Sequence, residues 1–213
     1  MEELSAEVQI NTKQTRAPSY GKYLEDFEEG DVFEHPRGMT VTAGLLHDFA
    51  TTFLEANPLY LNREYAKALG HKDIPASPLL VMNIVLSLGV QNNSEKAYAN
   101  LGYYDMHFIR PVYAGDTLRS LSKVAHKRER GEGKPGIITL NTVGVNQKDE
   151  RVIQYTRKIM VPPRPEGYQP PPFQKSKLDI SEYEGWAELE IPEVDVSAWP
   201  TNLTGINTYY EDF

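Results

Sequence analysis

Residues 77–90, which read SPLLVMNIVLSLGV, decide the fold. Ser77 suits the N-cap of a helix, and Pro78 suits the first helical position, where a missing N–H costs nothing. The run after Pro78 is apolar almost all the way round a helix, and a helix of that kind is buried on most of its sides. The stretch therefore predicts a long helix at the centre of the protein.

The chain after this helix is rich in β-forming residues from about Tyr103 onward. The segments are MHFIRPV (106–112), TLRSLSKVAHKRE (117–129), GIITLNTVGVNQ (136–147) and RVIQYTRKIMV (151–161). Turn-forming residues separate them at 114–116, 131–133 and 148–150, as expected for an antiparallel meander. A buried helix followed by such a meander predicts an α+β fold in which a curved sheet wraps around the helix.

Two shorter helices are predicted before the central one. LLHDFATTFLEA (45–56) has apolar residues at helical spacing, and Thr42 is a suitable N-cap for it. REYAKAL (63–69) follows Asn62, a second N-cap candidate, and Gly70 is placed to end it.

Composition excludes several classes of protein. The chain has 213 residues and a formal net charge of −8, whereas a nucleic-acid-binding protein needs a basic surface. The absence of cysteine excludes disulfides, thiolate metal sites and a cysteine nucleophile. No apolar run approaches the roughly 20 residues that span a bilayer, and the acidic N-terminus does not resemble a secretory signal. We therefore expect a cytoplasmic protein with no membrane segment, no nucleic-acid partner and no metal site.

The C-terminal part of the chain differs from the rest in charge and in proline content. From Arg164 onward there are three basic and ten acidic residues. Prolines at 162, 163, 165 and 170–172 favour an extended chain, while Trp186 and Trp199 suggest that it docks on a surface. We therefore predict three segments: an N-terminal extension (1–20), one domain (21–163) and an extended acidic C-terminal arm (164–213).

Within the domain, three stretches resemble a known family. They are GKYLEDFEEGDVFEHPRGMTVT (21–42), the block from Ser77 to Leu118, and GIITLNTVGVNQKDERV (136–152). They resemble the MaoC-like hot-dog dehydratases, most closely the mesaconyl-CoA hydratase (β-methylmalyl-CoA dehydratase) branch. The resemblance implies a hot-dog fold and a hydro-lyase that acts on an acyl-CoA with a small branched or dicarboxylic acyl group. It implies no cofactor, because the substrate itself is carried as a coenzyme A thioester.

The resemblance also implies a set of catalytic positions. In the hydratase signature an Asp and a His lie five residues apart, with Asn-Pro between them. Glu55 stands here at the Asp position, Asn57 at the Asn and Tyr60 at the His. Glu55 keeps a carboxylate, but a tyrosine, with an ordinary pKa of about 10 against about 6.5 for histidine, is a poorer proton shuttle at neutral pH. Each of the three also has a structural explanation: Glu55 as a polar residue near a helix end, Tyr60 as packing, and Asn57 as a helix stop.

The expected substrate-binding positions lie nearby. The family's oxyanion hole uses the N–H of a glycine that opens the buried helix, and Pro78, which has no N–H, stands at that position. The N–H of Leu79 or Leu80 is the expected replacement, because first-turn amides lack helical partners. His47, two helical turns before Glu55, can share its face and reach the pocket, and a surface histidine or a satisfied core histidine is the alternative. Ser77 completes the set of candidates.

Three functions remain open. The leading one is an acyl-CoA hydratase or dehydratase. The second is an acyl-CoA thioesterase, since the hot-dog fold hosts both activities and a lone Glu can serve as the base. The third is a non-catalytic hot-dog subunit that binds substrate and pairs with a catalytic MaoC-like chain.

The expected partners are an acyl-CoA, and either a second copy of this chain or a second MaoC-like chain. An open sheet leaves edge strands that need cover, which predicts a homodimer or a hetero-oligomer. The end of the chain, Tyr209 to Phe213 (YYEDF), resembles YLEDF at 23–27, and IPEVDVSAWPTNLTG (191–205) resembles the linker between the two hot-dog halves of the mesaconyl-CoA hydratase branch. We therefore expect a second hot-dog repeat to be supplied by another chain. The alternatives are that this sequence is an N-terminal part of a longer two-repeat protein, or that its tail folds back on its own dimer.

Overall fold

The long helix forms where the sequence predicts it, and the rest of the domain is arranged around it. The computed structural model describes residues 21–168. Its strands are β1 (Val32–Glu34), β2 (Met39–Thr40), β3 (Ala99–Phe108), β4 (Thr117–Arg128), β5 (Gly136–Val145) and β6 (Arg151–Val161), and its helices are α1 (Ala43–Thr52), α2 (Arg63–Ala68) and α3 (Pro78–Gly89). A π-helical turn, Val90–Ser94, continues α3. The predictions for residues 1–20 and 169–213, including those for Trp186, Trp199 and the 209–213 repeat, concern residues outside the described range.

The strands form one antiparallel sheet in the order β1-β4-β5-β6-β3, with β2 paired to β4. Strands β4, β5 and β6 are the predicted meander, and tight turns join them at Gly131 and Gly133 and at Asp149, all with positive φ. Strand β3 lies at the edge of the sheet and spans Ala99–Phe108, so it both begins and ends earlier than the segment 106–112 that the sequence predicts. The short strands β1 and β2 were not predicted.

The sheet curves around α3, as expected for a hot-dog fold. The buried side of α3 packs against β4 and β6, where it forms the larger core cluster. That cluster includes Leu80, Val81, Ile84, Val85 and Leu88 of the helix and Leu118, Ile153 and Tyr155 of the strands. Positions 79, 83 and 87 of α3 form an exposed stripe one helical turn apart. The helix is thus buried on most of its sides, as predicted.

Gly144 on β5 has no side chain, and this lets α3 approach the sheet closely. A Cβ at Gly144 would lie 2.5 Å from Cγ2 of Val85 and 2.7 Å from Cγ2 of Ile153. Any larger residue at this position would therefore push helix and sheet apart.

The predicted caps of the shorter helices are confirmed. The Thr42 side chain accepts a hydrogen bond from the N–H of Leu45, and Asn62 accepts two, from the N–H groups of Glu64 and Tyr65. Gly70 follows α2 with φ +86°, a conformation that glycine adopts without strain. Helix α1, however, ends at Thr52 rather than near Ala56.

The first residues of the predicted arm contact the domain. The backbone N–H of Arg164 donates to Oε2 of Glu25 at 2.8 Å, and its guanidinium pairs with Asp26. The ring of Tyr168 packs edge-on against that of Tyr23 at 4.8 Å between centroids. The boundary between domain and arm at 163/164 stays a prediction.

Among the helices of residues 21–168, none has both the length and the apolar character that crossing a membrane requires.

Candidate active site

The Glu55 carboxylate lies against the beginning of α3. Glu55 follows α1 in a loop, where its backbone N–H donates to the carbonyl of Ala50 at 2.8 Å. Its Oε2 accepts a long hydrogen bond of 3.5 Å from the hydroxyl of Ser77, and its Oε1 accepts one of 3.4 Å from the N–H of Asn57. The structure thus brings together two residues that are 22 positions apart in the sequence.

The Ser77 contact corrects one prediction. Ser77 does occupy the N-cap position of α3, but its hydroxyl makes no capping hydrogen bond. The side chain is buried and turns toward Glu55 instead. A charged acceptor strengthens a hydrogen bond, which explains why the hydroxyl turns to the carboxylate rather than to a backbone amide.

Tyr60 is half-buried beside Glu55. It ends a short 3₁₀ turn, Pro58–Tyr60, which begins where the side chain of Asn57 accepts a hydrogen bond from the N–H of Leu59 at 3.0 Å. The Asn57 oxygen therefore has a local structural role. Burial, followed by the negative charge of Glu55, raises the pKa of Tyr60 above its ordinary value of 10. Its hydroxyl is thus protonated at neutral pH and can donate a hydrogen bond.

The first of two clefts beside Tyr60 is mostly apolar, with a volume of about 230 Å³. Its walls include Leu59, Pro75, Pro78, Val81, Phe108 and Val112. His71 and Arg110 also line this cleft. The ring nitrogen Nδ1 of His71 lies 3.0 Å from the hydroxyl of Tyr113, which fixes the orientation of the imidazole.

The second cleft, of about 220 Å³, lies on the other side of Tyr60 and contains His47. Its charged groups are already paired: Nε of Arg63 lies 2.7 Å from Oδ1 of Asp73. This pairing raises the pKa of Arg63 and lowers that of Asp73. The prediction that His47 shares a helical face with Glu55 is wrong, because α1 ends before Glu55.

The first turn of α3 offers backbone amides rather than side chains. The first helical bond runs from the N–H of Val81 to the carbonyl of Ser77, so the amides of Leu79 and Leu80 have no helical acceptor. The Leu79 side chain is 59% exposed, whereas that of Leu80 is buried in the core. Substrate binding by either residue would therefore use its amide, and this role stays a prediction.

Sequence reasoning missed His71, Arg110 and the Arg63–Asp73 pair. His71 follows a helix cap, and Arg110 falls in the segment 106–112, which the sequence predicts only as a strand. The tertiary fold brings them together, because the N–H of Ala76 donates to the carbonyl of Val112 at 2.7 Å and joins the two segments. No local pattern in the sequence carries that information.

Within 21–168, no group of three or more His, Asp or Glu residues is arranged to hold a metal ion.

Comparison with known protein sequences assigns the chain to a family. The family model for mesaconyl-CoA hydratase matches residues 6–200. The β-methylmalyl-CoA dehydratase of Chloroflexus aurantiacus is 34% identical over 195 residues, which cover 91% of this chain and 54% of that protein. The mesaconyl-CoA hydratase of Cereibacter sphaeroides is 33% identical over 141 residues, 66% of this chain and 41% of that protein. The chain therefore spans about half the length of these relatives.

Solved structures agree with this assignment. A MaoC domain protein dehydratase from Chloroflexus aurantiacus superposes with a TM-score of 0.69 at 34% identity, over 78% of this chain and 46% of that one. RV0216 of Mycobacterium tuberculosis, described as a double hot-dog fold, has a TM-score of 0.65 at 24% identity, over 86% of this chain and 56% of that one, and it supports the fold alone. With the matched sequence and the observed fold, the chain belongs to the mesaconyl-CoA hydratase family of MaoC-like hot-dog proteins.

Proposed function

We propose that this chain is an acyl-CoA hydratase or dehydratase that acts on a small branched or dicarboxylic enoyl-CoA, with Glu55 as its general base. The observation that carries the proposal is the position of the Glu55 carboxylate, held by the Ser77 hydroxyl at the beginning of α3 and next to Tyr60. A base in this position has a hydrogen-bond donor beside it, and its neighbour Tyr60 lines the apolar cleft. The names of the relatives support the same reaction class and acyl type.

In the proposed hydration, Glu55 takes a proton from a water molecule while the water oxygen bonds to the β-carbon of the enoyl group. The electron pair of the double bond moves toward the thioester carbonyl. The amide of Leu79 or Leu80 stabilises the negative charge on that carbonyl oxygen. Protonated Glu55 then gives its proton to the α-carbon, which completes the addition of one water. The reverse sequence is the dehydration. The reaction is not a redox step, so the proposal includes no cofactor.

Tyr60 has a supporting role in this scheme. Because its pKa is raised, it does not serve as a base at neutral pH. Its hydroxyl instead donates a hydrogen bond that orients the attacking water. Asn57 acts indirectly, since its side chain forms the 3₁₀ turn that carries Tyr60.

A second candidate function is a substrate-binding subunit that pairs with a catalytic MaoC-like chain. Two observations favour it. Tyr60 stands where the signature has a histidine, and Pro78 removes the N–H that the signature uses as an oxyanion donor. In this case the partner would supply the Asp/His pair.

One experiment separates these functions. The purified chain is incubated with a panel of short enoyl-CoAs and saturated acyl-CoAs, alone and mixed with a MaoC-like chain that carries the Asp/His pair. Hydration by the chain alone supports the hydratase, and hydration only in the mixture supports the binding subunit. Release of free CoA from saturated substrates would instead indicate a thioesterase.

We further propose that the chain assembles as a homodimer or with a second MaoC-like chain. Strand β3 lies at the edge of the sheet, and large apolar side chains are exposed on it or next to it: Tyr98, Leu101, Tyr104 and Phe108. An uncovered strand of this length is a surface on which another chain can pair. Sedimentation at micromolar concentration should give a species heavier than 24.1 kDa. A clean monomer there would contradict the proposal of a homodimer.

A further inference from the structure

The two clefts beside Tyr60 each contain an arginine, but the two arginines are in different electrostatic states. Arg63 in the second cleft is neutralised by Asp73 at 2.7 Å. In residues 21–168, Arg110 of the first cleft has no carboxylate within salt-bridge distance. An arginine is charged at any physiological pH. Arg110, an exposed residue that lines the first cleft, therefore carries a positive charge with no carboxylate partner among residues 21–168, whereas the charge of Arg63 in the second cleft is paired.

Arg110 is also held in place by the backbone. Its Nη1 donates to the carbonyl oxygen of Arg151 at 2.9 Å. Its own N–H lies 3.4 Å from the carbonyl oxygen of Val152, next to the bond from the N–H of Ile109 to the same oxygen. The guanidinium has five N–H donors in a rigid fork, and the single bond to Arg151 leaves most of them available. A planar anion is the partner that this fork matches.

The size and lining of the first cleft limit what the anion can belong to. At about 230 Å³ the cleft is smaller than the roughly 300–1,000 Å³ of sites for drug-sized ligands. Tyr60 and Arg110 both line the cleft, and most of its other lining residues are apolar. A short hydrocarbon chain suits these walls, and a carboxylate at its far end suits the arginine.

We propose that Arg110 is the residue that selects acyl-CoAs whose acyl group ends in a free carboxylate, by binding that carboxylate in the cleft between Tyr60 and Arg110. This inference rests on the proposed function, because it uses the same site, and it deepens that function by naming the residue that sets the acyl class. The coenzyme A part is left outside the cleft, which has no room for it.

The test measures binding and needs no catalysis. The probes are two non-reactive thioethers of coenzyme A with the same chain length, 3-carboxypropyl-CoA and butyl-CoA, titrated calorimetrically into the full chain. Hydrogen bonds to charged groups predict that the wild-type chain binds the carboxylate-bearing thioether about tenfold more tightly or more. Arg110→Met should remove this preference and leave the affinity for butyl-CoA unchanged. Arg63→Met, in the second cleft, is the matched control and should keep the preference.

Two further variants test whether a folding defect, rather than the lost charge, explains the loss of the preference. Arg110→Gln keeps an N–H donor for the Arg151 carbonyl but has no charge, so it should fold normally and still lose the preference. Arg110→Lys keeps the charge without the planar fork and should retain part of it. Equal binding of the two thioethers by the wild-type chain, or a preference that survives in Arg110→Gln, would overturn the proposal.

The binding test and the hydratase proposal can fail separately. A carboxylate preference in a chain that hydrates nothing would keep the role of Arg110 and reject the chemistry assigned to Glu55. Hydration by a chain that binds both thioethers equally would do the reverse.

Discussion

Tyr60 shows how burial and one charged neighbour together decide what a side chain can do. Its hydroxyl is half-buried next to the Glu55 carboxylate, and both effects disfavour the phenolate. A histidine in the same place would exchange protons near neutral pH, whereas this tyrosine keeps its proton. We therefore assign it a hydrogen bond and no proton transfer.

This assignment predicts a mild effect of Tyr60→Phe. Losing one neutral hydrogen bond should lower turnover by less than about tenfold, whereas losing an acid–base group typically costs about 10²–10⁴-fold. The measurement is the rate of enoyl-CoA hydration across neutral and alkaline pH, where the profile should keep its shape. A loss of a hundredfold or more would mean that Tyr60 transfers a proton after all.

Single residues also show the limits of prediction from sequence. The spacing of Glu55, Asn57 and Tyr60 is local and could be matched to a signature. The turn of Ser77 toward Glu55, by contrast, depends on where the loop after α1 meets α3. Arg110 carries no local signal either, because its importance comes from the absence of a nearby carboxylate among residues 21–168.

At the scale of secondary-structure elements, the contact between α3 and β5 depends on Gly144. Gly144→Ala would place a methyl group 2.5 Å from Val85, so the helix must shift away from the sheet. We expect a loss of about 1–3 kcal/mol in the free energy of unfolding, measured with denaturant. Gly44→Ala in α1 is the control: a Cβ there meets nothing within 4 Å, and alanine favours a helix, so stability should hold or rise. Equal stability of Gly144→Ala and wild type would contradict this view of the packing.

Elements whose ends are set by local chemistry were predictable. Thr42, Asn62 and Gly70 cap the helices as their residue types suggest, and the meander follows its turn residues. The early end of α1 was not predictable from periodicity, because the apolar pattern continues through Phe53 and Leu54, both of which are exposed. The short strands β1 and β2 form only through their pairing with β4, which lies far along the chain.

For the whole molecule, the buried His35 predicts how stability depends on pH. Burial, and then the charge of Arg37, lowers the pKa of His35 from 6.5 to about 4. Between these two values the unfolded chain binds a proton that the folded chain does not. With respect to His35, the free energy of unfolding is therefore highest above pH 6.5. It falls by on the order of 3 kcal/mol as the pH drops toward 4.

Chemical unfolding of the wild type and His35→Gln between pH 7 and pH 4 checks this prediction. Glutamine has no charge to gain and can still bond to the Ser122 hydroxyl that His35 contacts at 3.0 Å. The variant should lose less stability than the wild type over this range. Parallel curves for the two proteins would show that His35 is not responsible.

The most direct test of the central claim is the hydration rate of Glu55→Gln against the wild-type chain, with a short branched or dicarboxylic enoyl-CoA as substrate. Glu64→Gln, an exposed change on α2, is the matched control. We expect the wild type and Glu64→Gln to hydrate the substrate at equal rates, and Glu55→Gln to be slower by about 10²–10⁴-fold. Hydration by Glu55→Gln at the wild-type rate would contradict the assignment of Glu55 as the base.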